Sequence, residues 1–353
     1  MYYAKIAEQY CGFTNQIFNL IVSIIIALSL KENIVIIDNF LDDINKTTYT
    51  PISDILNIKK LNIFLKQNYN LIIIDKNNIQ FEIISAKYGT NNTNYIDLTN
   101  IITQKFYKNN SLVIDKTVCF NDLKGDPCPG IVKSFILQYK MNEYIIEEKY
   151  NETLRTDIKI DFDGQYKFTH GWITSYNNNM FEHILKNITY NNKFLVKSES
   201  IINGINKEKK INCIHLRLED DGIKHWSKQN NITCDEYAAY LTQKYINLII
   251  KYISKTDENI ILSSSLSNGV IDFLEQHNYN YRFVDKFFDG REKNAIIDLL
   301  VSSCCNNIFI GNFNITNLNG SSFSYYIWKL MKDDVLKIFI DLDKIYDDEV
   351  LHQ

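Results

Sequence analysis

The sequence predicts an α/β protein of two domains, and three observations support this prediction. Short apolar runs rich in β-branched residues recur along the chain, and such runs are typical of strands buried on both faces of a parallel sheet. Longer segments with helical periodicity separate these runs. The chain has 353 residues, 45% of them hydrophobic, which suits two domains of ordinary size better than one small core.

Six apolar runs bounded by polar residues are predicted as strands. They are residues 34–37, 71–74, 211–216, 260–262, 281–284 and 308–310. Helices are predicted over 17–30, 235–254, 268–276, 292–305 and 325–331, and Thr233 and Glu236 can form a capping box before the second of them. The apolar run 17–30 includes Asn19 and Ser23 and is shorter than the roughly 20 apolar residues of a membrane helix.

The domain boundary is predicted near residue 200. Residues 203–210 are polar and charged, and a strong predicted strand follows them directly. We therefore expect an N-terminal domain over residues 1–200 and a C-terminal domain over residues 201–353.

Charge and cysteine content exclude several classes of protein. With 38 basic and 42 acidic residues the formal net charge is −4, which argues against general nucleic-acid binding but allows a local pocket for a small anion. Seven scattered cysteines without a Cys-x-x-Cys pair indicate neither a zinc site nor a secreted disulfide framework. No secretory signal peptide opens the chain, so we expect a cytoplasmic protein without a membrane span.

The first candidate binding motif lies before the N-terminal apolar helix. Gly12 at a turn into a helix lets backbone N–H groups approach a ligand, and a helix N-terminus favours an anion. Asn15 and Gln16 can add hydrogen bonds to a polar ligand. A simple helix start is the alternative interpretation of the same residues.

The second candidate motif lies at the end of the predicted strand 211–216. His215 and Arg217 share one face, and ligands of open α/β sheets bind beyond the carboxyl ends of strands. An arginine there suits bidentate contact with a diphosphate. Glu219, Asp220 and Asp221 can pair with Arg217, orient a sugar or act as a base. A salt-bridged strand end with a solvated acidic turn is the alternative, and a metal site is a weaker one.

The third candidate motif follows the predicted strand 308–310. Ser321 and Ser322 precede a predicted helix, so their hydroxyls and the free N–H groups can cradle a phosphate, although an ordinary N-cap has the same pattern. Asp298 lies upstream in an otherwise apolar helical stretch. A carboxylate there requires a partner, which is either a ligand base or a structural arginine.

In this order, the three motifs resemble the fucosyltransferase superfamily that includes protein O-fucosyltransferases and α-1,2-fucosyltransferases. The resemblance rests on Gly-x-x-Asn-Gln before an apolar helix, a His-x-Arg strand, and a Phe-Ile-Gly strand followed by Ser-Ser-Phe-Ser. It spans residues 10 to about 332. It implies a GT-B fold, in which two Rossmann-like domains enclose a donor cleft, with the acceptor side on the first domain and the nucleotide sugar mainly on the second.

The resemblance also implies an activity and a set of site residues. The activity is inverting, metal-independent transfer of fucose from GDP-fucose to a glycan or protein hydroxyl, without a cofactor. Arg217 binds the diphosphate and stabilises the departing charge. The resemblance leaves the general base unassigned, and Glu219 and Asp221 are the candidates for it, ahead of Glu8. The implied donor-binding residues are Gly12, Asn15, His215, Arg217, Asp298, Ser321, Ser322 and Phe323, of which Asp298 contacts guanine.

Two departures from the family pattern leave alternatives open. Leu218 and Glu219 stand where α-1,2 enzymes have a second arginine and a glycine, and Ser263, Ser264 and Ser265 replace a Ser/Thr-Asp pair. The first departure removes a positive charge and the second a carboxylate. Another nucleotide sugar as donor, or a catalytically degenerate module that binds nucleotide or glycan, therefore remains an alternative.

The acceptor is not indicated by any motif. The loops 122–130 and 164–179 are candidate acceptor loops, and Tyr166, Phe168, Trp172 and Tyr176 can either stack on a sugar or pack in the core. Because the expected secretory signal of eukaryotic members is not seen, we expect a bacterial or virus-encoded enzyme.

Overall fold

Two sheets of mainly parallel strands form the frame of the protein. The computed structural model describes residues 1–8, 11–43, 48–90, 94–109, 111–152, 157–162, 165–169, 171, 179–263, 268–343 and 350–352. The strands before residue 210 are β1 Tyr2–Lys5, β2 Ile34–Ile37, β3 Phe40–Asp43, β4 Thr48–Thr50, β5 Ile72–Asp75, β6 Phe81–Gly89, β7 Tyr95–Asp97, β8 Tyr107–Lys108, β9 Ser111–Ile114, β10 Ser134–Met141, β11 Tyr144–Asn151, β12 Ile158–Asp161 and β13 Lys167–Phe168. The helices there are α1 Phe13–Ser29, α2 Ile58–Tyr69, α3 Thr99–Phe106, α4 Asn121–Lys124, α5 Asn179–Lys186 and α6 Asn192–Asn203, with short 3-10 turns at Ile52–Asp54 and Lys76–Asn78.

The second half of the chain alternates strands and helices. Its strands are β14 Ile211–His215, β15 Glu258–Leu262, β16 Tyr281–Phe283, β17 Ile308–Gly311, β18 Phe313–Asn314, β19 Asn319–Gly320, β20 Leu336–Phe339 and β21 Val350–His352. Its helices are α7 Asp220–Gln229, α8 Cys234–Tyr252, α9 Gly269–Gln276, α10 Arg291–Ser302 and α11 Ser322–Leu330.

The second sheet has the strand order of a dinucleotide-binding fold. The order is β16-β15-β14-β17-β20-β21, and all neighbours are parallel except the final β20–β21 pair. Counted along the chain, this is the order 3-2-1-4-5-6, which reverses between β14 and β17. Apolar residues on both faces of its strands pack against helices, α8 and α9 on one side and α10 and α11 on the other.

The first sheet repeats the first four positions of that order, 3-2-1-4. Its strands are parallel and run β13-β1-β2-β5, so the order reverses between β1 and β13. Alternate residues of β2 and β5, such as Val35 and Ile73, pack against α1, α2, α5 and α6. The two halves are thus both Rossmann-like, and the predicted GT-B arrangement of two such halves around a cleft is confirmed.

The other face of the first sheet is covered by antiparallel strands instead of helices. A four-stranded sheet, β11-β10-β6-β7, and a three-stranded sheet, β12-β9-β8, lie over it. Ile34, Ile36 and Ile74 pack there with residues such as Phe135 and Tyr139. This antiparallel layer was not expected from the sequence.

The two halves share one apolar core. Helix α1 contacts both α10 and α11. The ring of Phe13 stacks on Tyr326 with centroids 6.2 Å apart, and Phe18 meets Tyr325 edge to face at 5.9 Å. A single buried cluster contains side chains from both parallel sheets. The predicted boundary near residue 200 stays a prediction.

The predicted elements of both sheets agree with the structure. All six predicted strands are confirmed, and their ends differ by at most two residues. The capping box of α8 is confirmed, because Thr233 and Glu236 each accept from the backbone N–H of the other. The alternative of a solvated acidic turn at 219–221 is wrong, because Glu219 is the N-cap of α7 and Asp220 and Asp221 lie in its first turn, where carboxylates are stabilised by the helix dipole.

Candidate functional site

A cavity of about 710 Å³ lies where both parallel sheets reverse their strand order. Residues that follow β1, β13, β14 and β17 line it, and these are the carboxyl ends of the four strands that flank the two reversals. In open α/β sheets this crevice is the usual ligand site. The cavity is called the cleft below.

All ten predicted site residues line this cleft. They are Gly12, Asn15, His215, Arg217, Glu219, Asp221, Asp298, Ser321, Ser322 and Phe323. Their placement together agrees with the sequence analysis, while the role of each one stays a prediction.

Arg217 is fixed by two carboxylates of the same segment. Its Nη1 donates to Glu219 Oε2 at 2.8 Å and its Nη2 donates to Asp221 Oδ2 at 3.1 Å. Burial raises the pKa of both carboxyls, but the adjacent Arg217 guanidinium outweighs it and holds each pKa below its ordinary value. A Cβ on Gly222 would come within 3.2 Å of Arg217 Cζ, so glycine provides the space for the guanidinium. The Nε–H of Arg217 has no hydrogen-bond partner among the described residues and can donate to a ligand.

A buried hydrogen-bond network holds the ends of β14 and β17 behind Arg217. The hydroxyl of Tyr245 accepts from Arg217 N–H at 2.9 Å and lies 2.8 Å from His215 O and 2.6 Å from Asn312 Oδ1. Asn312 Nδ2 donates to His215 O at 2.8 Å, and His215 Nδ1 lies 2.7 Å from Ser324 Oγ. Burial lowers the pKa of His215 to about 4, so the imidazole is neutral at physiological pH.

The N-terminus of α11 opens on the same cleft. Ser321 is its N-cap, and the Ser321 hydroxyl accepts a hydrogen bond from a backbone N–H of the first turn. Gly320 has a φ of +125°, in the region that favours glycine, and leads the chain from the β18–β19 hairpin into the helix. Phe323 packs edge to face on His215 with centroids 5.1 Å apart. The first-turn N–H groups and the hydroxyls of Ser321 and Ser322 can receive an anion.

Asp298 supplies an isolated carboxyl group at the cleft. It lies on α10, is half-buried, and makes no hydrogen bond with the described residues. Burial raises its pKa to about 7, although the charge of Lys286 acts in the opposite direction. A ligand that offers N–H donors would stabilise the carboxylate form.

Gln16 is a structural residue. Its Nε2 donates to Cys11 O at 3.1 Å and to Leu41 O at 3.0 Å, while its Oε1 accepts from Leu41 N–H at 2.8 Å. The side chain is fully buried, and both ends of its amide are satisfied by the backbone. The interpretation of Gln16 as a ligand-binding residue is therefore wrong.

Asn15 and Asn19, one turn apart on α1, have different environments. Asn19 is buried, donates to Ile6 O at 2.8 Å and accepts from Gly171 N–H at 2.7 Å, and so ties α1 to the segments after β1 and β13. Asn15 lines the cleft and has no side-chain partner in the described part of the chain. Of these two amides, only Asn15 is available to a ligand.

The N-terminus of α1 is capped from the other half of the protein. Phe13 N–H donates to Glu292 Oε2 at 2.6 Å, across 279 positions of sequence. A carboxylate at a helix N-terminus satisfies an amide and interacts favourably with the dipole. The expectation that the amides after Gly12 receive an anionic ligand is thus wrong for Phe13, because a side chain of the protein already occupies that amide.

Several cleft residues were missed by the sequence analysis. Lys286, Arg291 and Glu292 line the cleft beside Asp298, and they come from the segment before α10 and from its first turn. Helix α7 contributes a stripe at intervals of four, formed by Asp221, His225 and Gln229. That spacing is visible in the sequence and would have been informative if a helix had been predicted over 220–229.

Other candidates lie away from the cleft or outside the described residues. Glu8 pairs with Lys5 at 3.3 Å and is not among the cleft residues, which makes it a poor candidate base. Tyr166 packs edge to face on Tyr3 at 5.7 Å, and Phe168 belongs to β13. Trp172, Tyr176, Ser264 and Ser265 lie outside the described residues.

The described residues contain neither a cluster of metal ligands nor a helix suited to a membrane span. Within these ranges, no three or more His, Cys, Asp or Glu side chains are grouped so that they could hold a metal ion. None of the helices described is both long and apolar enough to cross a membrane.

Comparison with known proteins gives matches at the level of structure. No protein-family model matches the chain, and no curated protein matches it in sequence. Among solved structures, the chain is similar to the fucosyltransferase NodZ from Bradyrhizobium, with 11% identity, a TM-score of 0.47, and 96% of each chain covered. It is also similar to POFUT1 in complex with GDP-fucose, with 10% identity, a TM-score of 0.47, and 93% of each chain covered. NodZ is named a fucosyltransferase, which is the group of enzymes that the sequence motifs resemble.

Proposed function

We propose that the protein is an inverting glycosyltransferase that transfers fucose from GDP-fucose to a hydroxyl group of a glycan or a protein. The observation that carries this proposal is the presence, in one cleft, of a fixed guanidinium and an open helix N-terminus. Arg217 follows β14 and Ser321 follows β17, the two strands that flank the reversal of the second sheet. Together they suit the two phosphates of a nucleotide sugar.

The nucleobase pocket is proposed around Asp298. Guanine presents two N–H donors side by side, at N1 and at the exocyclic N2, and one carboxylate can accept from both. Adenine would place its N1 acceptor against the carboxylate, and uracil offers a single N–H donor. The unpaired carboxyl of Asp298 therefore favours a guanine nucleotide, because a mismatched base leaves buried polar groups without partners.

The chemical step requires stabilisation of the leaving diphosphate. When the bond between the anomeric carbon and the phosphate oxygen breaks, its electron pair leaves with GDP. Arg217 and the amides at the start of α11 can stabilise that charge, and they are positioned before the reaction by Glu219, Asp221 and the Tyr245 network. A guanidinium and a helix N-terminus can take the role that a divalent cation has in other transferases, so the proposal includes no metal.

The nature of the sugar is the part of the proposal that depends on the motifs. Fucose is assigned because Gly-x-x-Asn-Gln, His-x-Arg and Ser-Ser-Phe-Ser resemble the fucosyltransferase superfamily. The acceptor is assigned only as a hydroxyl compound that reaches the cleft from the side of the first sheet, where Gly12 and Asn15 lie.

Calorimetric titration of GDP, UDP, ADP and GDP-fucose, with and without a chelator, tests this function. We expect selective GDP binding that the chelator does not change. Arg217→Ala should weaken GDP binding at least 100-fold, since it removes a fixed charged partner of the diphosphate, whereas Arg217→Lys should recover part of the affinity. Arg282→Ala is the matched control, because Arg282 pairs with Glu258 on β15 and is not a cleft residue.

Other outcomes would point to the alternatives. A preference for UDP, or binding that requires a metal, would contradict the GDP-fucose assignment and favour a different nucleotide sugar. GDP binding without any turnover of GDP-fucose would favour a degenerate binding module. Loss of affinity in Arg282→Ala equal to that in Arg217→Ala would show that general charge, not the cleft, binds the nucleotide.

A further inference from the structure

The Glu292 carboxylate has two oxygens with different environments. Oε2 accepts the Phe13 N–H at 2.6 Å and is fixed there. Oε1 is buried and has no hydrogen-bond partner among the described residues. The nearest cationic group is Arg291, whose Nε lies 3.7 Å from Oε1, beyond hydrogen-bond distance. One oxygen of a rigidly held carboxylate thus remains unsatisfied.

This unsatisfied oxygen belongs to a cleft residue. The Glu292 residue is 3% exposed and lies among the residues that line the cleft. A buried charged oxygen without a donor is unfavourable, so such an atom in a native protein requires an explanation. A hydroxyl group of a bound substrate is a donor of suitable size. Gly12 of the N-terminal half lines the cleft beside this carboxylate, because a Cβ added to it would make an ordinary contact with Oε2 at 3.7 Å.

The carboxylates that the sequence analysis placed in the cleft are poor proton acceptors. Glu219 and Asp221 both pair with Arg217, whose charge lowers their pKa. Asp298 lies in the region assigned to the nucleobase. Glu292 has no cation at hydrogen-bond distance. Asp285 and Asp289 also line the cleft but are exposed, whereas Glu292 is buried with one unsatisfied oxygen and is therefore the better-placed proton acceptor.

We propose, on the basis of the proposed function, that Glu292 is the general base that removes the proton from the acceptor hydroxyl. The hydroxyl oxygen forms a bond to the anomeric carbon of the donor, and its proton passes to Glu292 Oε1. The bond between that carbon and the β-phosphate oxygen breaks, and GDP leaves with the electron pair beside Arg217. Oε2 stays on Phe13 N–H throughout and keeps the carboxylate in place.

The charged surroundings of Glu292 are consistent with this role. Burial raises its pKa, and the like charges of Asp43 on β3 and Asp221 on α7 raise it further, while Arg291 and the Phe13 amide act in the opposite direction. Burial raises the pKa of the Cys11 thiol, which lies before α1, and the nearby charge of Glu292 adds to that rise. A carboxylate whose pKa lies above its ordinary value is a stronger base than a salt-bridged one.

The test uses Glu292→Gln, because the amide oxygen of glutamine can still accept the Phe13 N–H. Hydrolysis of GDP-fucose, with water as the acceptor, is measured as a function of pH, and GDP binding is measured by calorimetry. We expect unchanged GDP affinity, thermal stability at least equal to that of the native protein, and at least a 100-fold lower hydrolysis rate. The native rate should fall on the acid side as Glu292 becomes protonated, and this fall should be absent in the variant.

Glu182→Gln is the matched control. Glu182 on α5 pairs with Lys329 on α11 at 2.5 Å, so it also joins the two halves but lies outside the cleft, and its variant should hydrolyse GDP-fucose at the native rate. A Glu292→Gln rate within threefold of native, with GDP binding intact, would overturn the assignment of Glu292 alone. Loss of GDP affinity in Glu292→Gln would also overturn it, in favour of a donor-binding role. A native protein that binds no GDP would instead overturn the proposed function.

Discussion

The two sides of the cleft are built from similar sheets but differ in what they offer a ligand. The second sheet presents charged and hydroxyl groups, namely Arg217, Asp298 and the start of α11, on a rigid network. The first sheet presents mainly backbone and neutral amides, and its buried amides Gln16 and Asn19 are used by the fold itself. A strand order shared by two sheets therefore does not imply the same function for each of them. The difference supports the proposal that the donor binds on one side of the cleft and the acceptor on the other.

The largest change in stability is expected from a substitution of Asp298, on the second side of the cleft. Its carboxyl has a pKa of about 7 in the protein and near 4 in an unfolded chain, so it reduces stability progressively as the pH rises through that interval. Asp298→Asn should therefore be more stable than the native protein by about 3 to 4 kcal/mol at pH 8, and the difference should vanish near pH 4. Denaturant unfolding at several pH values measures this.

The same variant should lose affinity for GDP. An asparagine oxygen can accept one hydrogen bond from guanine, but its NH₂ group would face the second donor, so we expect affinity lower by a factor of about 10 to 100. A variant that gains stability and keeps its affinity would show that Asp298 does not contact the base, and the second side of the cleft would then lack a base-specific group.

A smaller effect is expected from the matched pair Asn15→Ala and Asn19→Ala on the first side. Asn19→Ala leaves Ile6 O and Gly171 N–H unpaired and should destabilise the protein by about 2 to 3 kcal/mol. Asn15→Ala removes no hydrogen bond to the described residues and should change stability by less than about 0.5 kcal/mol. Urea unfolding compares the two, and equal losses would contradict the division between structural and ligand-facing amides.

The smallest change in stability is expected from Gly12→Ala. Gly12 has a φ of −64° and a ψ of 164°, which alanine adopts readily, and the added Cβ would make only an ordinary contact with Glu292. We expect a stability change within about 0.5 kcal/mol and a measurable fall in GDP-fucose turnover. Native turnover in this variant would show that no ligand approaches the Gly12 backbone closely.

The sequence contained enough local information for the second side of the cleft and too little for the first. Strand β17 and the N-cap at Ser321 are predicted from local apolar and turn patterns. Because the residues that follow β17 lie at the cleft, predicting these two elements correctly also locates Ser321 and Ser322 there. Gln16 and Asn15 are adjacent polar residues at the start of one helix, and only tertiary structure decides which of them meets the backbone and which meets the cleft. The pairing of Phe13 with Glu292 joins positions 279 residues apart, so no local pattern could indicate it.

The antiparallel layer over the first sheet is absent from the sequence prediction for a different reason. Buried Phe135, Leu137, Tyr139 and Met141 alternate with more exposed residues along β10, and Asn142, with a φ of 54°, begins the tight turn into β11. Alternation of period two followed by such a turn is a signal for a hairpin. This signal is present in the sequence, but it differs from the continuous apolar runs of parallel strands on which the predicted strands rest.

The apolar core shared by α1, α10 and α11 limits how substrates can enter and leave. Phe13 and Phe18 pack directly on Tyr326 and Tyr325, so a wide hinge opening between the halves would expose aromatic surface to water. The protein cannot open like two independent domains on a linker. In the proposed function, exchange of nucleotide and acceptor would then occur by local movement at the rim of the cleft, and the timing of product release would depend on that rim and not on the motion of whole domains.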